Sequence, residues 1–259
     1  MKKLKAVFWT LLIGCALLLP QCTAPPPTQT LTPPPALPTP PSPTATPSPR
    51  PDLYEQARLD MVQRQIQSRG VSDEAVLTAM RTVPRHLFVP DKWREQAYED
   101  HPLPIGYNQT ISQPYIVAWM TELLRVQRGD KVLEVGTGSG YQAAILGELE
   151  LEVYTVEIIE ALATQATERL AEMQYDNIVV AHADGYFGWE EHAPFDAIIV
   201  TCAPDHVPPD LVKQLKEDGR MVVPVGPPGG YQNLFLITKE DGRAMSESLG
   251  GVRFVPLTR

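Results

Sequence analysis

The stretch Lys131-Val-Leu-Glu-Val-Gly-Thr-Gly-Ser-Gly140 decides the fold. Val132, Leu133 and Val135 form a short apolar run of strand-forming residues. Gly136, Gly138 and Gly140 then let the backbone turn tightly and approach a ligand, because no Cβ intervenes. Tyr141-Gln-Ala-Ala-Ile-Leu146 continues as a helix. An apolar strand that breaks into alternating glycines and resumes as a helix is the first βα turn of a doubly wound α/β domain. Ligands of such sheets sit outside the carboxyl ends of the strands.

Two carboxylates narrow the ligand. The spacing is G-x-G-x-G, not the G-x-G-x-x-G that sets a dinucleotide pyrophosphate on a helix N-terminus. Glu134, just before the first glycine, would repel a pyrophosphate and suits a cation. Val153-Tyr-Thr-Val-Glu157 ends a second strand in an acid, near the spacing of a ribose-binding carboxylate. S-adenosyl-L-methionine has the matching parts: a ribose diol for Glu157, and an ammonium and a sulfonium for the acidic glycine turn. A dinucleotide site and a purely structural strand–turn are the alternatives, and the two acids favour the methyl donor.

The expected architecture is a doubly wound, mostly parallel, Rossmann-like sheet with an N-terminal helical segment and C-terminal antiparallel strands. Residues 160–173 read as a helix, and 177–184 as a strand ending in Asp184 before Gly185. Residues 195–201 form an apolar central strand with Asp196 at its edge, followed by Cys202 as a small buried residue. After a helix over 207–215, Asp218-Gly219 is read as a turn into a strand from Arg220. The loop Gly226-Pro-Pro-Gly-Gly230 is placed near the substrate mouth. Residues 234–238 and 252–257 are expected to close the sheet.

The chain has a net charge of −9, which argues against gripping nucleic acid by its phosphates. Its three cysteines, Cys15, Cys22 and Cys202, imply no disulfide framework, and no Cys/His spacing suggests a metal. Most of the 27 prolines lie near the N-terminus. Met1-Lys-Lys-Leu-Lys5 followed by an apolar run to Pro20 has the form of a secretory leader (1–22). Leu12-Ile-Gly-Cys15 resembles a lipobox whose cysteine is lipidated; Cys22 and an uncleaved anchor are the rivals. Residues 23–52 are a Pro/Thr-rich tether in extended polyproline II form. The folded domain spans 53–259, with a helical, substrate-binding part over 53–128 and a donor-binding sheet over 129–259. This predicts an exported, membrane-anchored protein; a start near Met61 would make it cytoplasmic.

Before the sheet, Leu59, Val62 and Ile66 recur at helical spacing up to Gly70. Ser72 is the expected cap of a helix over 73–81. A proline-bounded turn over 83–90 is expected to bury Leu87 and Phe88, and His86 and His101 to be structural. Pro114 suits a first helical turn, so Thr110 to Gln113 read as the start of a helix. Its free N–H groups offer a carboxylate site, with Ser112 adding a hydroxyl. Ser112 as a plain N-cap is the alternative.

The run Gln109-Thr-Ile-Ser-Gln-Pro114, with Val83-Pro-Arg85, Phe88-Val-Pro90 and Leu103-Pro-Ile-Gly106 upstream, resembles the protein-L-isoaspartate (D-aspartate) O-methyltransferase family. The likeness continues through Glu134 to Gly140, Pro194-Phe-Asp-Ala-Ile-Ile-Val200, Val222-Val-Pro-Val-Gly226 and Val252 to Leu257. It implies transfer of a methyl group from S-adenosyl-L-methionine to the free carboxylate of isoaspartyl residues in damaged proteins and peptides. The ester then collapses to a succinimide without the enzyme. Ser112 would orient the carboxylate and is not a covalent nucleophile. Donor contacts are implied for Thr110, Ile111, Glu134, Gly136, Gly138, Ser139, Gly140, Glu157, Ile158, Asp184, Gly185 and Thr258. Tyr115 stands where some members carry histidine, which bears on fine specificity. A monomer is expected. The alternatives are a methyltransferase for another substrate and an inactive exported relative.

Overall fold

The computed structural model describes residues 53–227 and 229–259. The expected leader, Cys15, Cys22 and the tether lie outside them. Helix α1 (Glu55–Met61) runs into a π-helical turn over Val62–Ile66 and a 3-10 turn over Gln67–Arg69, ending at Gly70 with φ 98°. Val62 and Ile66 are buried as their spacing predicts, but Leu59 is 39% exposed. The core-facing position belongs to Arg58, whose Nε donates to the Arg81 carbonyl. A pattern built on apolar residues cannot register a buried arginine.

Helix α2 (Glu74–Thr82) is capped by Asp73, not Ser72: its Oδ1 accepts from the N–H groups of Ala75 (2.9 Å) and Val76 (3.1 Å). Glu122 accepts the backbone N–H groups of Ser72 and Asp73 and so holds this corner from a distance in sequence. In the 3-10 turn over Arg85–Phe88, Phe88 packs against Tyr141 while Leu87 is 40% exposed. Neighbours in so tight a helix point about 120° apart, so only one of the pair turns inward. His86 stacks on Tyr54 at 4.3 Å, and His101 sits against Glu99 and the Pro102 carbonyl.

Strands β1 (Leu103–Gly106) and β2 (Gln109–Ile111) pair antiparallel around Tyr107 and Asn108, both left-handed, as the right-handed twist of a hairpin requires. Thr110 and Ile111 are therefore strand residues, and only Ser112 and Gln113 lead into α3 (Pro114–Leu124). Gln113 occupies the N-cap position and Pro114 the first turn, which excludes Ser112 as the cap.

The main sheet is built from β3 (Lys131–Val135), β4 (Glu152–Glu157), β5 (Ile178–His182), β6 (Phe195–Val200), β7 (Leu215–Val225), β8 (Gln232–Glu240) and β9 (Arg243–Val252). Its order is β5-β4-β3-β6-β7-β8-β9, parallel through β7 and antiparallel beyond. Helices α4 (Tyr141–Glu148), α5 (Glu160–Glu172) and α6 (Pro209–Gln214) complete the fold. The chain steps outward from β3 to β5 and then returns to β6 on the other side of β3. That reversal opens a crevice at the carboxyl ends of β3 and β6.

Two expectations about the last strands are corrected. Asp218-Gly219 is an irregularity inside β7: Asp218 has φ 61°, and the pairing jumps from Phe195–Leu215 to Ala197–Arg220. The closing strand is Arg243–Val252, not 252–257. As an edge strand with most residues exposed it carries no apolar run to reveal it. Residues 255–257 instead cross the end of β6, where Ala203 N–H donates to the Val255 carbonyl and Leu257 N–H to the Ala203 carbonyl.

Candidate active site

The site forms where β3, β4 and β6 end. Gly136 leaves β3 with φ 101°, and a Cβ there would stand 2.6 Å from Thr201 Oγ1, so no other residue fits without rebuilding the turn. The N–H groups of Gly136 and Thr137 donate to the Val156 carbonyl at 2.9 and 3.2 Å. Gly138 N–H donates to Glu157 Oε2 at 2.8 Å, and Ile159 N–H to Oε1 at 3.0 Å. The carboxylate ending β4 thus ties down the glycine turn that ends β3. Glu157 lines a cleft with Thr110, Gly136, Gly138, Ile158, Gly185 and Thr258.

Glu134 is fully buried one strand away. Its Oε2 accepts from the Thr155 hydroxyl at 2.7 Å, and Thr155 lies 2.6 Å from Thr137 Oγ1. Its Oε1 is buried with no partner among the described residues. Burial, opposed by the Thr155 hydroxyl and reinforced by Glu157, raises the carboxyl to about 8. An acid of this kind has an acceptor to spare, and a cation with N–H donors satisfies it. The residues present therefore fit a donor that combines a diol with an ammonium.

A larger cavity of about 690 Å³ adjoins the cleft, lined by Ser112, Gln113, Ile116, Tyr231, Val252 and Phe254 among others. Thr110 borders both spaces, and Ser112 also borders the space around Glu134, Gly136 and Gly138. Tyr231, 90% exposed, follows directly on the Gly226–Gly230 loop.

Ser139 borders the space around Glu134, Gly136 and Gly138, its Oγ accepting from Tyr141 N–H at 3.3 Å and its carbonyl from Arg169 at 2.7 Å. Two expected donor residues sit differently from the rest. Gly140 faces α5, where an added Cβ would meet Ala166 at an ordinary 3.4 Å; its left-handed backbone, φ 85°, is what calls for glycine at the start of α4. Asp184 Oδ1 accepts from Tyr186 N–H, and its other oxygen is 3.5 Å from Arg259 Nε, while its neighbour Gly185 reaches the cleft wall. A Cβ on Gly185 would lie 2.6 Å from Val135 Cγ1. Ile111 is buried beside Ser112 at the inner end of the cleft.

Residues that pattern reading did not supply also line the site. Cys202, expected as a small buried residue, is half-buried and reaches the cleft; desolvation together with Glu157 and Glu134 pushes its thiol up to about 12, so it stays protonated at neutral pH. Val255, Pro256 and Leu257 form the opposite wall, hidden in the sequence because they resemble one more strand.

The model of the protein-L-isoaspartate(D-aspartate) O-methyltransferase family matches residues 56–259. The chain belongs to that family. It is 56% identical over 210 residues to a protein-L-isoaspartate O-methyltransferase of Opitutus terrae, covering 80% of this chain and 90% of that one. Protein-L-isoaspartate O-methyltransferase 2 of Syntrophobacter fumaroxidans is 59% identical over 187 residues, covering 72% of this chain and 76% of that one. Among solved structures, a Plasmodium falciparum protein described as a protein-L-isoaspartate O-methyltransferase, in complex with S-adenosyl-L-homocysteine, superposes with a TM-score of 0.66. It is 26% identical, covering 78% of this chain and 98% of that one. The family is S-adenosylmethionine-dependent. As a member, the chain esterifies the free carboxylate of isoaspartyl and D-aspartyl residues in damaged protein, which starts their repair.

Proposed function

We propose that the cleft at the ends of β3, β4 and β6 holds S-adenosylmethionine and the larger cavity holds the isoaspartyl segment. The observation that carries this reading is the position of Ser112, which borders both the glycine turn and the larger cavity. When bound, the donor supplies a methyl group on a positively charged sulfur. Glu157 takes the ribose hydroxyls on lone pairs its two backbone bonds leave free. Glu134 accepts from the ammonium through Oε1. Gly136, Gly138, Thr110 and Ile111 wall the amino-acid end, and Ile158, Asp184, Gly185 and Thr258 the adenosine end. Ser139 borders the amino-acid end beside Glu134, and Gly140 holds the turn in shape from behind.

The acceptor carboxylate is ionised at neutral pH, so the chain supplies no general base. The Ser112 hydroxyl and the backbone N–H groups at the start of α3 hold the carboxylate in line with the methyl group. Ile116, Val252 and Phe254 exclude water, which favours a reaction in which opposite charges cancel. Ser112→Ala is expected to lower kcat/KM for an isoaspartyl peptide by about ten- to a hundredfold, with affinity for S-adenosylhomocysteine unchanged. Labelled donor with isoaspartyl and normal aspartyl peptides measures this. Equal labelling of both peptides, or intact turnover by the variant, would favour another acceptor.

We further propose that the enzyme is exported and works as a monomer, lipidated at Cys15 and lifted from the membrane by the tether. A start at Met61 is disfavoured because it would delete α1, including the buried Arg58 that bonds Arg81. Mass spectrometry of the mature N-terminus is expected to find an acylated Cys15; a first residue near Met61 would overturn export.

A further inference from the structure

Val83-Pro-Arg85 belongs to the family likeness without a role, yet Arg85 is fully buried and heads the large buried side chains. No carboxylate pairs with it among the described residues. Its Nε donates to the Ala97 carbonyl and its Nη2 to the Ser112 carbonyl, each at 2.7 Å. Its guanidinium lies 4.9 Å from the centre of the Tyr141 ring, at the first residue of α4 after the glycine turn. One side chain therefore touches the approach to β1, the acceptor loop and the helix that follows the donor loop.

Packing alone does not explain it. A cation buried among neutral carbonyls and tyrosines, with its Nη1 unpartnered among the described residues, is costly, and apolar replacements of buried charge are often neutral or stabilising. Burial lowers its pKa to about 10, so it remains charged at neutral pH. What the charge reaches is the Ser112–Gln113 peptide. That unit is planar and trans, so fixing the carbonyl on the core side points the Gln113 N–H the opposite way. Gln113 lines the larger cavity, and its side-chain amide is held by Asp100. A charged bond to the carbonyl also polarises the peptide and strengthens its N–H as a donor.

We propose that Arg85 is a positioning residue for methyl transfer: it fixes the Ser112–Gln113 peptide from behind, so that the Gln113 N–H and the Ser112 hydroxyl present donors to the acceptor carboxylate. The inference rests on the reading of Ser112 given above. It concerns the acceptor side, so donor binding is the internal control.

The test uses the full chain with Arg85→Met and Arg85→Lys. Arg85→Met is expected to raise KM for an isoaspartyl peptide about ten- to a hundredfold. Its Kd for S-adenosylhomocysteine should stay within about threefold of the parent. Arg85→Lys keeps the charge but loses the fork that reaches two carbonyls, and should fall between the two. A folded Arg85→Met with unchanged peptide KM, or one that loses donor affinity in proportion, overturns the proposal. If Arg85→Met does not fold, the lysine variant decides alone: a raised peptide KM with donor affinity kept supports the proposal, and a parental KM refutes it. Ser112→Ala separates the two readings. If it leaves peptide kcat/KM intact, the Ser112 reading fails and this inference with it. If it impairs turnover and Arg85→Met does not, this inference fails alone. The double variant should be less than additive, because both changes remove one arrangement.

Discussion

With Glu157 replaced by alanine, S-adenosylhomocysteine is expected to bind at least about a hundredfold more weakly, because two bonds to a charged acceptor are lost together. The same change strips Gly138 N–H and Ile159 N–H of their acceptor. The glycine turn then loses its tie to β4, so binding surface and its support fail at once. Glu157→Gln should be milder, since its carbonyl oxygen still accepts from one of the two N–H groups while its amide opposes the other. Calorimetric titration with S-adenosylhomocysteine measures both. An unaltered Kd in the alanine variant would remove Glu157 from the donor site.

Glu134→Gln should act in two opposite directions. In the ligand-free protein the carboxyl is raised from 4.5 to about 8. Between those values the folded protein keeps a proton that the unfolded chain has released. The stability contributed by this group is whole below pH 4.5 and is lost as pH rises through about 8. The glutamine variant has no such loss, so its Tm should gain on the parent as the buffer moves from about pH 5 to pH 9. Donor affinity should move the other way. An ionised Glu134 offers a charge-assisted bond to the ammonium that glutamine cannot match, and about a tenfold loss is expected near pH 8. In the parent, affinity should rise with pH until about 8 as the proton leaves, and in the variant this rise should vanish. Thermal melts without donor and titrations across the same range read the two effects separately. A variant that melts below the parent at high pH, or keeps the pH dependence of binding, would contradict this account of Glu134.

What the sequence by itself determined is local and repetitive in kind. Parallel strands buried on both faces are rich in apolar residues, so Val132, Leu133 and Val135 and the run Ala197 to Val200 declared themselves. The positive φ at Gly136 and the start of α3 at Pro114 are likewise written in single residue types. The Thr110 to Pro114 run beside the glycine turn carried the family. Tertiary structure alone decided which distant groups meet. That Glu157 holds Gly138, that Glu134 keeps an oxygen unpartnered among the described residues, and that Arg85 reaches the Ser112 carbonyl all depend on how the strands and turns pack together. The same holds for Glu122 holding the backbone of Ser72 at the start of α2, and for β9, an exposed edge strand. A side chain's partner in a distant part of the chain is set by strand order and packing, and no local pattern of apolar and polar residues encodes it.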